Sequence, residues 1–178
     1  VFGSLRGTWN LGFELCEAVG NIAWNWRMLS STGDAKYADL MERTLYNGFL
    51  AHVSLDGGLF YYLSPLSSDG DHSPRTIWGH PETSCCPPNA MRLLASLPGY
   101  FFSTSEGGLW VHLYDNCQLD WQLEDGMPFT LIQRTAYPWN GHVDLELRLE
   151  QPATFALWLR IPNWCYRPAV LVNGSPIQ

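Results

Sequence analysis

Four side chains in two short stretches of the chain could bind a divalent metal ion. Glu14 and Cys16 stand two residues apart at the start of a predicted helix, and Cys85 and Cys86 are adjacent. A disulfide between adjacent cysteines is strained and rare, so reduced or metal-bound thiols are the better interpretation. Three thiolates and one carboxylate form a donor set that suits the tetrahedral coordination of Zn²⁺.

The spacing of these residues, taken alone, favours a different interpretation over a metal site. The chain has no CxxC pair, so the pattern is not that of a zinc finger, and buried cysteines often behave only as small hydrophobic residues. Cys117 and Cys165 fall in a predicted sheet region without a motif, and we expect them to be structural. Five cysteines, an odd number, favour free or metal-bound thiols over a disulfide framework.

Composition limits the classes of function that need to be considered. The 178 residues are 46% hydrophobic, 14% aromatic and 15% charged, which is typical of a folded domain and excludes disorder and a coiled coil. A net charge of -7 opposes binding to nucleic acid or to an anionic membrane surface. The chain contains no apolar run of the roughly 18 residues that a membrane span needs, and its start does not resemble a signal peptide. We therefore expect neither nucleic acid nor a membrane as a partner.

The first half of the chain shows helical periodicity. Apolar residues over 13–29 occupy one helical face, and Trp24 and Met28 form a second, so this helix needs neighbours on two sides. Asp34 can cap a second helix that continues to Leu50, and the two helices are expected to form a hairpin. Residues 55–65 predict a turn and a short strand, and a third helix follows Pro87 and Pro88.

After about Thr104 the pattern changes to the alternation of β-strands. Strands are predicted around 109–113, 119–123, 129–136, 143–149, 154–161 and 169–173. An antiparallel β-sandwich is the natural packing for them. The fold class is therefore α+β, with a helical part at 1–104 and an incomplete sandwich at 105–178. We expect truncation at both ends. The helices have apolar faces without partners, and little chain follows the hairpin predicted at Asn173-Gly174.

Three blocks of the sequence strongly resemble the β-L-arabinofuranosidases of glycoside hydrolase family 127. They are ELCEAVGNIAWNWRML, GDAKYADLMERTLYNGFLAHVSLDGGLFYYLSPL and CCPPNAMRLLASLPGYFFS, and they span residues 14–103 in the order found in that family. The resemblance implies the last helices of an (α/α)₆ barrel followed by a β-sandwich. It also implies one Zn²⁺ bound by Glu14, Cys16, Cys85 and Cys86, with Cys85 as the nucleophile of a retaining glycosidase.

The same resemblance identifies what this chain does not contain. The general acid/base of the family is a glutamate upstream of the Glu-x-Cys motif, and none of the 13 residues before Glu14 is acidic. Glu17 and Glu82 lie outside the block that carries it, and Glu17 is expected only to favour the helix dipole. The isolated chain should therefore be nearly inactive. Trp78 and His80, shortly before Cys85, are the candidates for contacts with substrate.

The partner implied by the family is an arabinofuranoside-type glycan or small glycoside, and a homodimer of the longer parent protein is left open. Oxidisable thiolates favour a reducing cytoplasm. Two other functions remain. One is a zinc-stabilised module that binds carbohydrate without cleaving it, and the other is a metal-free domain with buried thiols.

Overall fold

The computed structural model describes residues 12–65, 70, 75–77, 84–123 and 125–177, and it combines helices with strands. Helices dominate the first half. In chain order they are α1 (Leu15–Thr32), α2 (Ala35–Arg43), a π-helical turn (Thr44–Phe49), α3 (Leu50–His52), α4 (Cys86–Ser96) and a 3₁₀ turn (Leu97–Tyr100). Two short strands beside them, β1 (Gly12–Glu14) and β2 (Leu63–Pro65), pair antiparallel.

Helices α1 and α2 form the predicted hairpin. Gly33 ends α1 in the left-handed conformation with a φ of 67°, and the side chain of Asp34 then accepts a hydrogen bond from the backbone of Lys36 at 3.0 Å. The apolar faces of α1, α2 and α4 meet in one core. Its most buried members are Leu15, Ala18, Ile22, Leu29, Ala38, Met41, Phe49, Cys86, Ala90 and Leu93.

The π-helical turn interrupts the second predicted helix and lets the backbone of Gly48 approach α1 and β1. A Cβ atom at Gly48 would lie 3.3 Å from the ring of Phe13 and 3.6 Å from the Cβ of Ala18, so a larger residue would force its neighbours apart. The ring nitrogens of buried His52 lie 2.7 Å from the carbonyl oxygen of Gly48 and 2.5 Å from that of Phe13. These contacts hold β1 against the helices.

Strands dominate the second half of the chain. They are β3 (Phe102–Ser105), β4 (Gly108–Val111), β5 (Cys117–Gln122), β6 (Pro128–Thr135), β7 (Val143–Leu149), β8 (Ala156–Leu159), β9 (Leu171–Val172) and β10 (Ser175–Pro176). One sheet has the order β3-β4-β8, a second has the order β5-β6-β7, and β9 and β10 form the hairpin predicted at Asn173-Gly174. Leu109 and Val111 of β4 share a core with Phe129 and Leu131 of β6.

The prediction that all strands are antiparallel is wrong for one pair. Strand β8 runs parallel to β4, with Leu109 opposite Leu157 and Val111 opposite Leu159. Parallel neighbours need a long crossover, and here the β5-β6-β7 sheet lies within the connection from β4 to β8. Apolar alternation shows which strand face is buried, but it is the same for either strand direction. The pattern in the sequence could not reveal this pairing.

Arg160, directly after β8, joins the two halves of the structure. It is only 5% exposed; its Nη1 donates to Asp39 at 2.7 Å and its Nη2 donates to Glu42, both on α2. Its Nε donates to the carbonyl oxygen of His112, and the indole nitrogen of Trp164 donates to Glu42 at 3.1 Å. Burial opposes the charge of Arg160, yet the two carboxylates hold its pKa above the usual value. The buried guanidinium is therefore paired with two carboxylates, which share its one positive charge.

Some large apolar side chains on the outer faces of the helices remain exposed in this chain. Trp24, on the second apolar face of α1, is 65% exposed, and Met91 and Leu94 on α4 are 59% and 47% exposed. No helix in the described ranges is both long and apolar enough to cross a membrane.

Replacing Arg160 with Met should lower the free energy of unfolding by about 3–5 kcal/mol, because Asp39 and Glu42 would lose the cation that they share. Urea unfolding followed by tryptophan fluorescence measures this loss. Arg134→Met is the matched control, since Arg134 pairs with Glu146 at 2.6 Å but its side chain is 54% exposed. The control should lose less than about 1 kcal/mol. Equal losses in the two variants would contradict the role given to Arg160.

His112 makes the stability of the same junction depend on pH. It is 5% exposed, its Nε2 lies 2.7 Å from the hydroxyl of Ser103, and Trp26 packs edge-on against its ring. Burial, helped by the charge of Arg160, lowers the pKa of His112 from its usual 6.5 to about 4. The unfolded chain therefore binds a proton in a pH range where the folded chain keeps this ring neutral.

Stability should consequently fall as the pH is lowered from about 6.5 towards about 4, and His112 should contribute up to about 3 kcal/mol of this loss. Urea unfolding at pH 7 and pH 4.5 measures the difference. In His112→Gln the free energy of unfolding should fall between these two pH values by about 2 kcal/mol less than in the wild type. An identical loss in the variant and the wild type would show that His112 is not the responsible group.

Candidate functional site

The structure brings together all four residues that were expected to bind a metal. Each of Glu14, Cys16, Cys85 and Cys86 offers one ligand atom, and the four atoms lie within 4.8 Å of one another. The sulfur of Cys86 is 3.4 Å from that of Cys16 and 3.9 Å from that of Cys85. The same carboxylate oxygen of Glu14 lies 3.8 Å from the sulfur of Cys85 and 3.7 Å from that of Cys86. Such a cluster of donor atoms can surround one cation.

Two helix N-termini position these donors. Glu14 is the N-cap of α1 and Cys16 lies in the first turn of that helix, whereas Cys85 is the N-cap of α4 and Cys86 is its first residue. Cys86 and the first turn of α1 belong to the same buried core, which keeps the two helix ends together. The partial positive charge at a helix N-terminus stabilises carboxylates and thiolates. Both helix ends therefore place partial positive charge beside the four donors.

Backbone pairing holds Glu14 at this position. Strand β1 aligns Glu14 with Leu63 of β2, and the next amide, of Leu15, donates to the carbonyl oxygen of Tyr62 at 3.1 Å. The backbone amide of Glu14 donates to the carboxylate of Glu17 at 3.1 Å. Glu17, expected only to favour the helix dipole, therefore also caps α1 and lies outside the donor cluster.

The structure confirms the predicted start of α4. Pro87 and Pro88 occupy the first turn of that helix, where a backbone amide has no partner within the helix and proline loses nothing. The backbone of the two cysteines therefore leads directly into a rigid helix start.

Without a cation, burial works against ionisation at this site. Burial raises the pKa of the Cys16 thiol, while a hydrogen bond from Asn89 partly offsets that effect. Burial also raises the pKa of Cys86, and its hydrogen bond with Cys16 adds to the shift. Burial and the negative charge of Glu14 raise the pKa of Tyr62, beside the cluster, to about 12. A bound cation would reverse this balance, because it stabilises the thiolates directly.

Sequence reasoning did not single out Asn89 and Arg92. The side-chain amide of Asn89 donates to the sulfur of Cys16 at 3.2 Å, and Arg92 donates to the oxygen of that amide at 2.8 Å. The sequence held a signal for Asn89, since it lies four residues after Cys85 and four residues are about one helical turn. Without coordinates, nothing indicated that Cys16 would lie on that side of α4.

The remaining predicted site residues stand apart from the cluster. Trp78 and His80, and also Glu82, lie outside the described residues. Cys117 is on β5, where Gln133 donates to its sulfur at 3.2 Å, and Cys165 follows β8. Within the described ranges, the Glu14 cluster is the one group of three or more His, Cys, Asp or Glu residues placed to share an ion.

A cavity of about 650 Å³ lies in the strand-rich half, away from the cluster. The turns at one end of the two sheets line it, and its lining includes half-exposed Trp121 together with Asp125 and Phe155. None of the four cluster residues contributes to its wall. This cavity and the donor cluster are thus separate features of the molecule.

Comparison with known proteins gives matches in both halves of the chain. Residues 7–99 match the family model of the β-L-arabinofuranosidase GH127 catalytic domain, and residues 108–178 match that of the GH127 middle domain. A non-reducing end β-L-arabinofuranosidase of Bifidobacterium longum subsp. longum is 33% identical over 177 residues. That match covers 92% of this chain but 26% of the relative.

Solved structures agree with the family models. The GH127 β-L-arabinofuranosidase Ara127N of Geobacillus stearothermophilus T6 aligns with a TM-score of 0.86 at 36% identity over 93% of this chain and 27% of its own. A GH127 β-arabinofuranosidase aligns with a TM-score of 0.79 at 38% identity over 93% and 28% of the two chains. This chain therefore spans about a quarter of the length of these relatives. Because the catalytic-domain model covers more than half of the 178 residues, the chain belongs to the GH127 β-L-arabinofuranosidase family.

Proposed function

We propose that the protein containing this chain is a retaining glycosidase that acts on β-L-arabinofuranosides, with Zn²⁺ bound by Glu14, Cys16, Cys85 and Cys86 and with Cys85 as the nucleophile. The observation that carries the proposal is the convergence of these four donors within 4.8 Å. The names of the relatives support the substrate class, since two of them are β-L-arabinofuranosidases.

The distances in the cluster fit zinc. For tetrahedral coordination with Zn–S near 2.3 Å and Zn–O near 2.1 Å, two sulfurs lie about 3.8 Å apart and a sulfur and an oxygen about 3.6 Å apart. The two sulfur–sulfur distances at Cys86 are 3.4 and 3.9 Å, and the two sulfur–oxygen distances at Glu14 are 3.8 and 3.7 Å. Soft thiolates with a single carboxylate also favour zinc over magnesium or calcium, which prefer oxygen donors.

Zinc at this site supplies the charge that removes the thiol protons and keeps the sulfurs ionised at neutral pH. Three thiolates and one carboxylate together exceed the charge of the ion by two, so the sulfurs retain negative charge. Among the three, Cys86 is completely buried and cannot reach a substrate, whereas Cys85 is partly exposed at the helix start. Exposure therefore excludes Cys86 and leaves Cys16 and Cys85, and of these two the resemblance to the family assigns the attack to Cys85.

The reaction then follows the logic of retaining glycosidases. The sulfur of Cys85 attacks the anomeric carbon, a C–S bond forms as the glycosidic C–O bond breaks, and the leaving oxygen takes a proton from a general acid. Water then attacks the anomeric carbon from the face opposite the sulfur, gives a proton to the general acid that was deprotonated in the first step, and releases the thiolate, so two inversions restore the original configuration. As the resemblance implies, we assign the general acid to a glutamate upstream of Glu14 in the longer protein, and Trp78 and His80 to the wall of the sugar site.

We also propose that 1–104 is the last part of an (α/α)₆ barrel and that 105–178 belongs to a β-sandwich. The two family models support this division, because one ends at residue 99 and the other begins at residue 108. The exposed apolar side chains of Trp24, Met91 and Leu94 support the barrel, since further helices would cover them. The shared core of the two three-stranded sheets supports the sandwich.

The cysteines bear on where the protein is found. Five free cysteines favour a reducing cytoplasm.

The cavity in the strand-rich half favours a second candidate function. An exposed indole beside polar groups can bind the apolar face of a sugar, so a zinc-stabilised module could bind glycan at Trp121 without cleaving it. The two functions differ at Cys85, because only the hydrolase needs a reactive sulfur there.

Cys85→Ser in the full-length protein should lower kcat/KM for an aryl β-L-arabinofuranoside by more than about 10³-fold, because the nucleophile is lost. Cys165→Ser is the matched control and should keep full activity, since Cys165 lies outside the cluster. Mass spectrometry should also find an arabinofuranose-shaped haloacetyl probe attached to Cys85 in the wild type. Substantial turnover by Cys85→Ser would refute the nucleophile assignment, and zinc binding without labelling or turnover would favour the glycan-binding module.

Elemental analysis of the reduced full-length protein, purified without chelator, should find about one zinc per chain. Cys16→Ser and Cys86→Ser should each reduce the zinc content below about half an equivalent, because a hydroxyl is a much poorer ligand than a thiolate. Cys165→Ser should retain the wild-type content. Less than about half an equivalent in the wild type would instead favour a metal-free domain with buried thiols.

A further inference from the structure

The three sulfurs of the cluster have different surroundings. Cys86 is completely buried, while Cys16 and Cys85 are both partly exposed, so burial alone does not decide which of these two is the more reactive. They differ in their side-chain partners, because Tyr62 forms a side-chain hydrogen bond with Cys85 whereas Asn89 contacts Cys16. The side-chain nitrogen of Asn89 lies 3.2 Å from the sulfur of Cys16, within hydrogen-bond distance for a sulfur acceptor.

Arg92 fixes which end of the Asn89 amide faces the sulfur. Its Nη1 lies 2.8 Å from the amide oxygen of Asn89. A guanidinium group only donates hydrogen bonds, so it selects the oxygen and leaves the NH₂ group pointing at Cys16. The amide therefore acts as a donor to Cys16, which is what an ionised sulfur requires.

Helix α4 fixes the position of Asn89 relative to Cys85. The backbone amide of Asn89 donates to the carbonyl oxygen of Cys85 at 3.2 Å, closing the first turn of the helix. The group that contacts Cys16 is thus held one turn from the proposed nucleophile, and it crosses from α4 to α1. A shift of α4 would move Cys85 and the donor to Cys16 together.

We propose that Asn89 is a positioning residue that makes Cys16 a permanent metal ligand and lowers the nucleophilicity of Cys16 relative to that of Cys85. This inference rests on the proposed function, because it requires ionised sulfurs on a metal. A hydrogen bond to a thiolate draws electron density from the sulfur and weakens it as a nucleophile. Second-shell donors of this kind also orient metal ligands. Arg92 acts through Asn89 by holding the amide in the donating orientation.

The test measures which cysteine reacts, independently of turnover. The full-length protein loaded with zinc is treated with limiting iodoacetamide at pH 7, and peptide mass spectrometry gives the ratio of labelling at Cys16 to that at Cys85. The wild type should be labelled mainly at Cys85. Asn89→Leu, which keeps the approximate volume but removes the donor, should raise the ratio about tenfold, the effect of one hydrogen bond to a charged acceptor.

A spectroscopic measurement tests the same bond on the metal. In the protein loaded with Co²⁺ in place of zinc, Asn89→Leu should shift the sulfur-to-cobalt charge-transfer band to longer wavelength, since a sulfur without the hydrogen bond gives up its electrons more easily. Arg92 should act on Cys16 only through Asn89. Arg92→Met should therefore shift the labelling ratio and the band in the same direction by a smaller amount, and Arg92→Lys should remain close to the wild type.

The outcomes separate this inference from the proposed function. Failure of the wild type to bind zinc or Co²⁺ would overturn the proposed function itself. The role of Asn89 would be overturned if Asn89→Leu had a normal metal content and an unchanged labelling ratio. It would also be overturned if the wild type were labelled mainly at Cys16. If Asn89→Leu does not fold, Arg92→Met decides the question, because Arg92 is exposed and its removal leaves the core intact. An unchanged ratio in Arg92→Met would then overturn the proposal.

Discussion

The structure depends on the convergence of two helix N-termini on one cluster of acidic and thiol groups. A carboxylate and three thiols within 4.8 Å of one another would repel strongly if all were ionised without compensation. The N-termini of α1 and α4 supply partial positive charge, and a bound divalent cation would offset more of the repulsion. Burial alone acts in the opposite direction, as the raised pKa values of Cys16 and Cys86 indicate. A single arrangement thus serves both the fold and the proposed chemistry.

A second cluster of charges fulfils a purely structural role. Arg160 lies between Asp39 and Glu42 with its charge fully paired, and it connects the end of β8 to α2. Both clusters remove charge from water, but their consequences differ. At Arg160 the protein itself supplies a cation to two carboxylates, so the interaction holds two halves together. At Cys85 all four groups become negative when they ionise, so a cation would be needed to keep them ionised together.

Much of the local structure was predictable because it depends on short-range rules. The cap at Asp34, the prolines at the start of α4 and the hairpin at Asn173-Gly174 each follow from the backbone preferences of the residues involved. The parallel pairing of β8 with β4 was not predictable, because alternation carries no information on strand direction. The π-helical turn at Thr44–Phe49 also escaped prediction, since it arises where Gly48 packs against Phe13.

The sequence by itself determined the chemical identity of the site: the Glu-x-Cys and Cys-Cys-Pro-Pro-Asn segments supply the donors, and their presence at helix starts follows from local rules. Only the tertiary structure decided that these segments meet, because residues about 70 positions apart are brought together by the packing of α1 on α4. It also decided that Asn89 contacts Cys16 and that Arg160 reaches Asp39 and Glu42. Such pairings follow from the arrangement of whole elements in three dimensions, which the spacing of residues along the chain does not encode.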